Sequence, residues 1–299
     1  MSAHHDPDNP PGNPGFLVFD SLAILGSGLI GASVLRAAKA RGLLKRAAVW
    51  DPVSDHAAAC VAPDAADVSA ATAREAVRDA DLVVIGAPSD VVGDVAAHIA
   101  PALKPGAIVT DVASVKGHIA RVAHAAMPEG VFFVGSHPMA GSEKNGPGAA
   151  RAGLFDGRAC FVTPLAGRTD EVATARVGAF WAALGARAVI VSPDEHDEIV
   201  AGISHLPHVA AVALAGLLAG RPTAWRDCGG GGLRDTTRIA GGDPGLWLAI
   251  LMENRHEVVH AIEAYEKELR ALREAVESND RRGLATILER AREWRSGLV

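Results

Sequence analysis

Three glycines, Gly26, Gly28 and Gly31, follow the apolar run SLAIL and open a segment rich in alanine and leucine. In a GxGxxG of this kind the first glycine permits a tight turn and the second lets backbone approach a pyrophosphate. The third lets a helix pack closely on the strand, and the phosphates rest on the helix N-terminus, where Leu29 and Ile30 stand. Asp51 closes the next apolar run, AAVW, 20 residues after Gly31. An acidic side chain there accepts hydrogen bonds from an adenosine ribose. A 2′-phosphate would meet a like charge, and no arginine follows immediately to offset it, so the pattern favours NAD over NADP. The bland alternative is a structural turn with Asp51 capping a helix. Strand, turn, helix and acid in register weigh for the cofactor.

Other reactive side chains lie further along. His137 stands in GSHPMAGSEKNG (135–146) and Ser114 in TDVASVKG (110–117). A histidine before a proline, taken alone, reads as a buried ring satisfied by backbone. Neutral imidazole is also the natural base near physiological pH. Ser114 could cap the helix that begins with VKGHIA, contact a ligand, or do both. Lys116 reads as a first-turn surface lysine. His205 and His208, in SHLPH (204–208), would share a helix face. No third ligand has suitable spacing for a metal, so His208 reads as structural. Arg238 lies in GGGGLRDTTRIAGGDPGLW (229–247), near Arg234. A planar guanidinium can grip a carboxylate with two bonds.

These residues need elements to hold them. Besides 21–25 and AAVW, the runs DLVVIGAP (81–88), AIVTDVAS (107–114), VFFVGSHP (131–138), ACFVT (159–163) and ARAVIV (186–191) read as strands with helices between most of them. Short apolar runs alternating with helices indicate parallel strands buried on both faces. Such an α/β, Rossmann-type doubly wound sheet binds ligands beyond the carboxyl ends of its strands. Asp51, Pro88, Ser114 and His137 all fall just past a predicted strand end and would line that crevice. The pattern changes after Pro193. Helices are expected over about 194–219, 244–277 and 281–295, the second with Leu248, Leu251, Val258, Val259, Ile262, Tyr265 and Leu269 at helical spacing. The expected organisation is a disordered tail at 1–18, a Rossmann domain at 19–192 and an all-helical domain at 193–299.

Composition narrows the function. Of 299 residues 49% are hydrophobic and 21% charged, which suits a globular protein with a sizeable core. The net charge is −6 and no basic patch stands out, which argues against a nucleic-acid partner. Cys60, Cys160 and Cys228 are far apart and odd in number, so neither a disulfide framework nor a zinc site is expected and a reducing, cytoplasmic setting fits. The tail, with His4 and His5, lacks a signal peptide's basic end and apolar stretch. The most apolar stretch, 199–220, is interrupted by Ser204, His205, Pro207 and His208. A lipid-spanning helix would make those groups costly, so a buried helix of a soluble protein is expected.

Taken in order, TDVASVKG, GSHPMAGSEKNG, SHLPH and the RDTTRIA-DP-LW segment resemble the prephenate/arogenate (cyclohexadienyl) dehydrogenase family over about residues 20–260. The resemblance implies a helical domain like the C-terminal part of 6-phosphogluconate dehydrogenase. It implies oxidative decarboxylation: a hydride passes from the ring carbon bearing the 4-hydroxyl to NAD, carbon dioxide leaves, and the ring becomes aromatic. His137 matches the family's catalytic histidine, and Ser114 a serine near the nicotinamide and the hydroxyl. His205 matches a second histidine that contacts substrate, and Arg238 the arginine that holds a substrate carboxylate. Glu143 and Asp235 match acidic positions thought to gate the site, or serve as ion-pair partners of nearby arginines. Trp247 matches a tryptophan that reaches the neighbouring subunit's site, or packs in a core. Gly231 sits where a product-like ligand could touch.

Ser136 stands where many relatives have glycine and Leu233 where many have an aromatic; neither removes a chemical group. The resemblance also implies a homodimer through the helical domain. No chorismate mutase domain is expected ahead of the Rossmann run, and too few residues follow Val258 for a regulatory ACT domain. Prephenate, giving 4-hydroxyphenylpyruvate in tyrosine biosynthesis, is the expected substrate; arogenate, which differs only in a side-chain amino in place of a keto group, or both substrates, is the alternative. A 3-hydroxyacid dehydrogenase or imine reductase would usually rely on a lysine in the helical domain, where only Lys267 stands. An NAD-binding sensor would not need His137, Ser114, His205 and Arg238 together.

Overall fold

Apolar runs rich in valine and isoleucine suit a pleated sheet covered on both faces, and most of those named above form strands. The computed structural model describes residues 19–61, 65–141 and 146–298. The tail at 1–18 and Glu143 lie outside the described residues. The first half contains β1 (Ser21–Leu25), α1 (Leu29–Ala40), β2 (Arg46–Trp50), α2 (Ser54–Ala58), β3 (Val68–Ser69), α3 (Ala73–Val77), β4 (Leu82–Ile85), α4 (Val92–Ile99), β5 (Ile108–Asp111), α5 (Gly117–Ala126) and β6 (Phe132–Phe133). Their six strands pair all-parallel in the order β3-β2-β1-β4-β5-β6. The order reverses between β1 and β4, the point at which a doubly wound sheet opens a ligand crevice. Register aligns Leu25 with Trp50 and Ile85, and Ile85 with Asp111, so the four carboxyl ends finish together.

Alternate side chains feed two cores. Ile24, Val34, Leu35, Val84, Phe180 and Trp181 belong to one, and Leu25, Val83, Ile85, Val92, Ile99 and Ile119 to the other. At the expected 25 cal/mol per Å² of apolar surface, each such large side chain contributes roughly 1.5–3 kcal/mol.

The run at 131–138 is not one strand. It breaks at Val134, and β7 (Gly135–Pro138) joins a second sheet in the order β7-β8-β9 with β8 (Ala159–Thr163) and β9 (Arg187–Ile190). Here β7 runs antiparallel to β8, so the expectation of parallel strands throughout fails for this piece. The cause is local. The Ser136 N–H donates to the Asp111 carboxylate (3.2 Å), which turns the chain over the end of β5. A Cβ at Gly135 would lie 2.5 Å from Thr163 Oγ1. His137 is consequently inside a strand rather than past a strand end.

Between β8 and β9 lies α6 (Glu171–Ala183), and the remainder is helical: α7 (Pro193–Val200), a π-helical turn (Ala201–His205), α8 (Leu206–Ala219), α9 (Ala224–Asp227), α10 (Gly231–Thr237), α11 (Pro244–Glu253), α12 (Arg255–Glu277) and α13 (Arg281–Ser296). The described residues up to Ile199, with Gly241–Asn254, form one compact unit; Val200–Ala240 and the chain from Arg255 onward form another. The expected single helix at 244–277 is interrupted at Asn254, whose backbone leaves helical geometry and whose amide donates to the Asp197 carbonyl (2.9 Å). The glycine-rich stretch before Arg234 is itself helical, as α10.

Pro193–Ala219 is long and apolar enough to cross a membrane by length and composition. The expectation of a buried helix is met on one stripe only. Ala201, His205, His208 and Ala211, at helical spacing, are buried, while Ile203, Val212 and Leu217 are exposed in the single chain. A segment apolar all round offers two faces, and its own unit covers one of them.

Candidate active site

The crevice is built by the strand ends. Gly26 follows β1 with φ +95°, a left-handed conformation that L side chains rarely adopt, and a Cβ there would lie 2.4 Å from the Gly86 carbonyl. A Cβ on Gly31 would lie 2.0 Å from the Gly26 carbonyl, so α1 can approach β1 only with glycine. Gly28 is the opposite case: nothing lies within 4 Å of a Cβ built there. Gly28 is also the N-cap of α1, with no side-chain cap and no acidic residue in the first turn. Leu29 and Ile30 begin the helix. Open space, uncapped N–H groups and the positive end of the helix dipole together suit a pyrophosphate.

Asp51 follows β2. One carboxylate oxygen accepts from Ser27 N (2.7 Å) and Ser27 Oγ (3.0 Å), and the other from Val53 N (2.9 Å). The acid is thereby tied to the loop between Gly26 and Gly28. Pro88 follows β4 and its carbonyl accepts from Val91 N. Half-buried Ser114 follows β5. Ser114 is not the helix N-cap considered above, because α5 starts at Gly117. The α5 N-terminus is held instead by Asp197 from α7, whose carboxylate accepts from Lys116 N (2.8 Å) and Gly117 N (2.7 Å).

His137 sits on β7, buried, with Nδ1 2.9 Å from Nε2 of His196. His196 Nδ1 is in turn 2.8 Å from Asp197 Oδ1. His196 is fully buried, edge-on to both His137 and Phe161 at 5.1 Å between ring centroids. Burial pushes its pKa below the ordinary 6.5; the Asp197 hydrogen bond opposes this and the nearby Lys116 charge adds to it. Neither His196 nor Asp197 was singled out from the sequence. Their signal was the DEHDE run at 194–198, which reads as a solvated helix start.

Lys116 overturns the expectation of a surface lysine. Its side chain has no exposure and it pairs with Asp111, also without exposure. Burial drives its pKa below the usual 10.5, and the Asp111 carboxylate opposes that shift. Asp111 also accepts from Ala113 N (3.1 Å) and Ser136 N (3.2 Å). One carboxylate thus joins the end of β5, the turn carrying Ser114 and the strand carrying His137. Ser136 is fully buried, and its hydroxyl bonds Thr110 Oγ1 at 2.7 Å, so a partner is provided for the added polar group.

Trp247, on α11, belongs to the same unit as the crevice. His205, Gly231, Asp235 and Arg238 belong to the other unit: His205 closes the π-turn and is buried, Gly231 and Asp235 lie on α10, and Arg238 follows α10 directly. His208 is buried one turn after His205 and its pKa is lowered by that burial. On α12 the donors of His256, Glu257 and His260 lie within 4.8 Å of one another, a potential metal-ligating group absent from the sequence reading. The three cysteines are free thiols, with Cys60 and Cys160 buried and Cys228 exposed.

Two family models match in tandem: "Prephenate dehydrogenase, nucleotide-binding domain" over residues 34–190 and "Prephenate dehydrogenase, dimerization domain" over residues 192–290. The chain belongs to the prephenate dehydrogenase family. Cyclohexadienyl dehydrogenase of Zymomonas mobilis is 37% identical over 270 residues, 88% of this chain and 90% of that protein. Prephenate dehydrogenase of Bacillus subtilis is 31% identical, covering 93% of this chain and 76% of that protein. The crystal structure of prephenate dehydrogenase from A. aeolicus, in complex with hydroxyphenyl propionate and NAD+, superposes with TM-score 0.87 at 28% identity, over 94% of this chain and 98% of that one.

Proposed function

We propose that the chain is an NAD-dependent prephenate dehydrogenase, converting prephenate to 4-hydroxyphenylpyruvate in tyrosine biosynthesis. The observation that carries the reading is His137, buried beside the crevice strands and backed by His196, within a chain whose two halves match the two domains of one family. When bound, NAD accepts the hydride. The protein's own groups do the rest. His137 takes the proton of the 4-hydroxyl as the C–H electrons depart, the ring carboxylate then leaves as carbon dioxide, and the proton returns from His137 to the phenolate oxygen of the aromatic product. Aromatisation makes the sum downhill, so orientation and proton removal are the protein's main tasks.

Ser114 and His205 are assigned to the substrate hydroxyl and ring, and Arg238 to a carboxylate. Asp235, Glu143, Gly231 and Trp247 are assigned to substrate binding. Leu29, Ile30, Pro88 and Asp51 complete the cofactor's surroundings. Asp51 favours the ribose diol over a 2′-phosphate, since its carboxylate oxygens are held by Ser27 and Val53 beside the glycine turn. We assign the cofactor domain to 19–192 and the helical domain to 193–299, which the junction of the two family models at 190–192 supports. The protein acts as a homodimer in the cytoplasm. The family description of the second domain, the exposed Ile203, Val212 and Leu217, and three free thiols support this.

A second reading, acceptance of both prephenate and arogenate, is favoured by the Z. mobilis relative's description as a cyclohexadienyl dehydrogenase. Initial-rate NADH formation, with each substrate and with NAD or NADP, separates the two. Turnover with prephenate and NAD is expected. Turnover with arogenate alone refutes the first reading, and none with any pair refutes both.

A further inference from the structure

We propose that His196 and Asp197 are positioning residues that fix the tautomer of His137 and so aim its lone pair at the substrate hydroxyl. The inference rests on the reading of His137 as the base. It follows from counting donors and acceptors along a buried chain. Asp197 is a carboxylate whose two oxygens already accept from the backbone of Lys116 and Gly117, so it faces His196 as an acceptor. His196 Nδ1 lies 2.8 Å from it and must carry the proton, because two acceptors at that distance would repel. His196 is fully buried and its pKa is held below the ordinary value, so it has one proton to place. Its Nε2 is therefore an acceptor.

His137 Nδ1, 2.9 Å away, must donate to that acceptor. In the neutral ring the remaining nitrogen of His137, Nε2, is then the unprotonated one. A base whose other nitrogen is committed to a fixed acceptor cannot lose time in the unreactive tautomer. The imidazolium formed by proton uptake is also stabilised, because its Nδ1–H already points along a chain ending in a carboxylate.

Asp197 serves a second purpose through the same atoms. By accepting from the N–H groups of Lys116 and Gly117, it fixes the turn that carries Ser114. Its backbone carbonyl is held by the Asn254 amide at 2.9 Å. One carboxylate on α7 thus orients the proposed base on β7 and anchors the segment of the proposed hydroxyl contact after β5. Phe161 packs edge-on against His196, which keeps that ring from turning.

The test uses the intact protein with ¹⁵N-labelled histidine. One-bond and multiple-bond ¹H–¹⁵N correlations at pH 8 report which nitrogen of each ring is protonated, with assignment by His137→Asn and His196→Gln. The expected result is Nδ1–H with unprotonated Nε2 on both His137 and His196. A proton on Nε2 of His137 overturns the proposal, whatever the activity.

Kinetics supply the second arm. His196→Phe keeps ring volume beside Phe161 but removes the acceptor. We expect kcat to fall by about 10²-fold, within the roughly 10²–10⁴ that a positioned base contributes. KM for NAD should stay within about twofold, since the cofactor contacts are untouched. His196→Gln, which restores an acceptor oxygen, should recover about tenfold of that loss. Equal loss in both variants, or a loss expressed in KM for NAD, overturns the positioning role. Full turnover in His137→Asn would instead refute the base assignment and leave the tautomer measurement standing.

Discussion

Removing the Lys116 ammonium should destabilise the protein more than any surface lysine could. Lys116 and Asp111 have no exposure and pair with each other. In Lys116→Met the carboxylate stays buried without its counter-charge, a situation that costs about 3–5 kcal/mol. Two backbone N–H groups still reach it, at 3.1 and 3.2 Å, so the lower end, about 3 kcal/mol, is expected. For a unit of this size, about 2–4 °C of Tm is lost per kcal/mol, which gives a drop of roughly 6–12 °C by scanning fluorimetry. Lys116→Met with Asp111→Asn removes both charges while leaving an oxygen for the two N–H groups. It should be more stable than the single variant by about 1–2 kcal/mol, and Asp111→Asn alone closes the double-mutant cycle that reads the coupling. A single variant within about 1 kcal/mol of the parent, or a double variant whose loss is the sum of its parts, would refute a coupled, buried pair.

His137→Asn should lower kcat by about 10²–10⁴-fold with unchanged NAD affinity, measured by initial rates and cofactor titration. Arg238→Gln should weaken substrate binding by about 1.5–3 kcal/mol, the scale of a charged hydrogen bond, read as KM for prephenate. Asp51→Ser should narrow the preference for NAD over NADP; an unmoved ratio would take Asp51 away from the ribose. Stability should fall as pH drops through about 6.5. The folded-state pKa of His196 lies below that ordinary value, so in the window below it the unfolded chain holds more protons. Urea midpoints between pH 8 and 5 should show a shallower fall in His196→Gln than in the parent.

Much of this site could be read from the sequence because it depends on local constraints. A glycine whose Cβ would strike Gly86 or Gly26 must be glycine in any sequence with this turn. Asp51 is set by the end of its own strand. Parallel pairing follows from short runs apolar on both faces. The pieces that were misread depend on partners far away in the chain. Lys116 looked like a surface residue because nothing in VASVKGHIA reveals that Asp111 is folded back over it. The run at 131–138 looked like one strand because its alternation continues through Val134, while the break is imposed by Asp111 and Thr163. The exposed face of α8 looked buried because an apolar residue does not say whether its neighbour is its own chain or another.

His196 and Asp197 carry this argument furthest. In DEHDE, four of five residues are acidic, a composition that suggests solvent. Asp197 is nevertheless buried, since it accepts from backbone groups about 80 positions away. Those N–H groups belong to the first turn of α5, which has no side-chain cap of its own. An uncapped helix start therefore creates the demand for an acceptor, and the acceptor that meets it comes with a histidine beside it. A helix-capping need and a base-orienting need are met by adjacent residues of one turn. Asp197→Ala should accordingly injure both. It should lower stability by about 1–2 kcal/mol, the scale of a lost cap, and it should shift the His137 proton toward Nε2. If the variant loses the stability but keeps His137 protonated on Nδ1, the carboxylate serves the helix alone and His196 is oriented by packing.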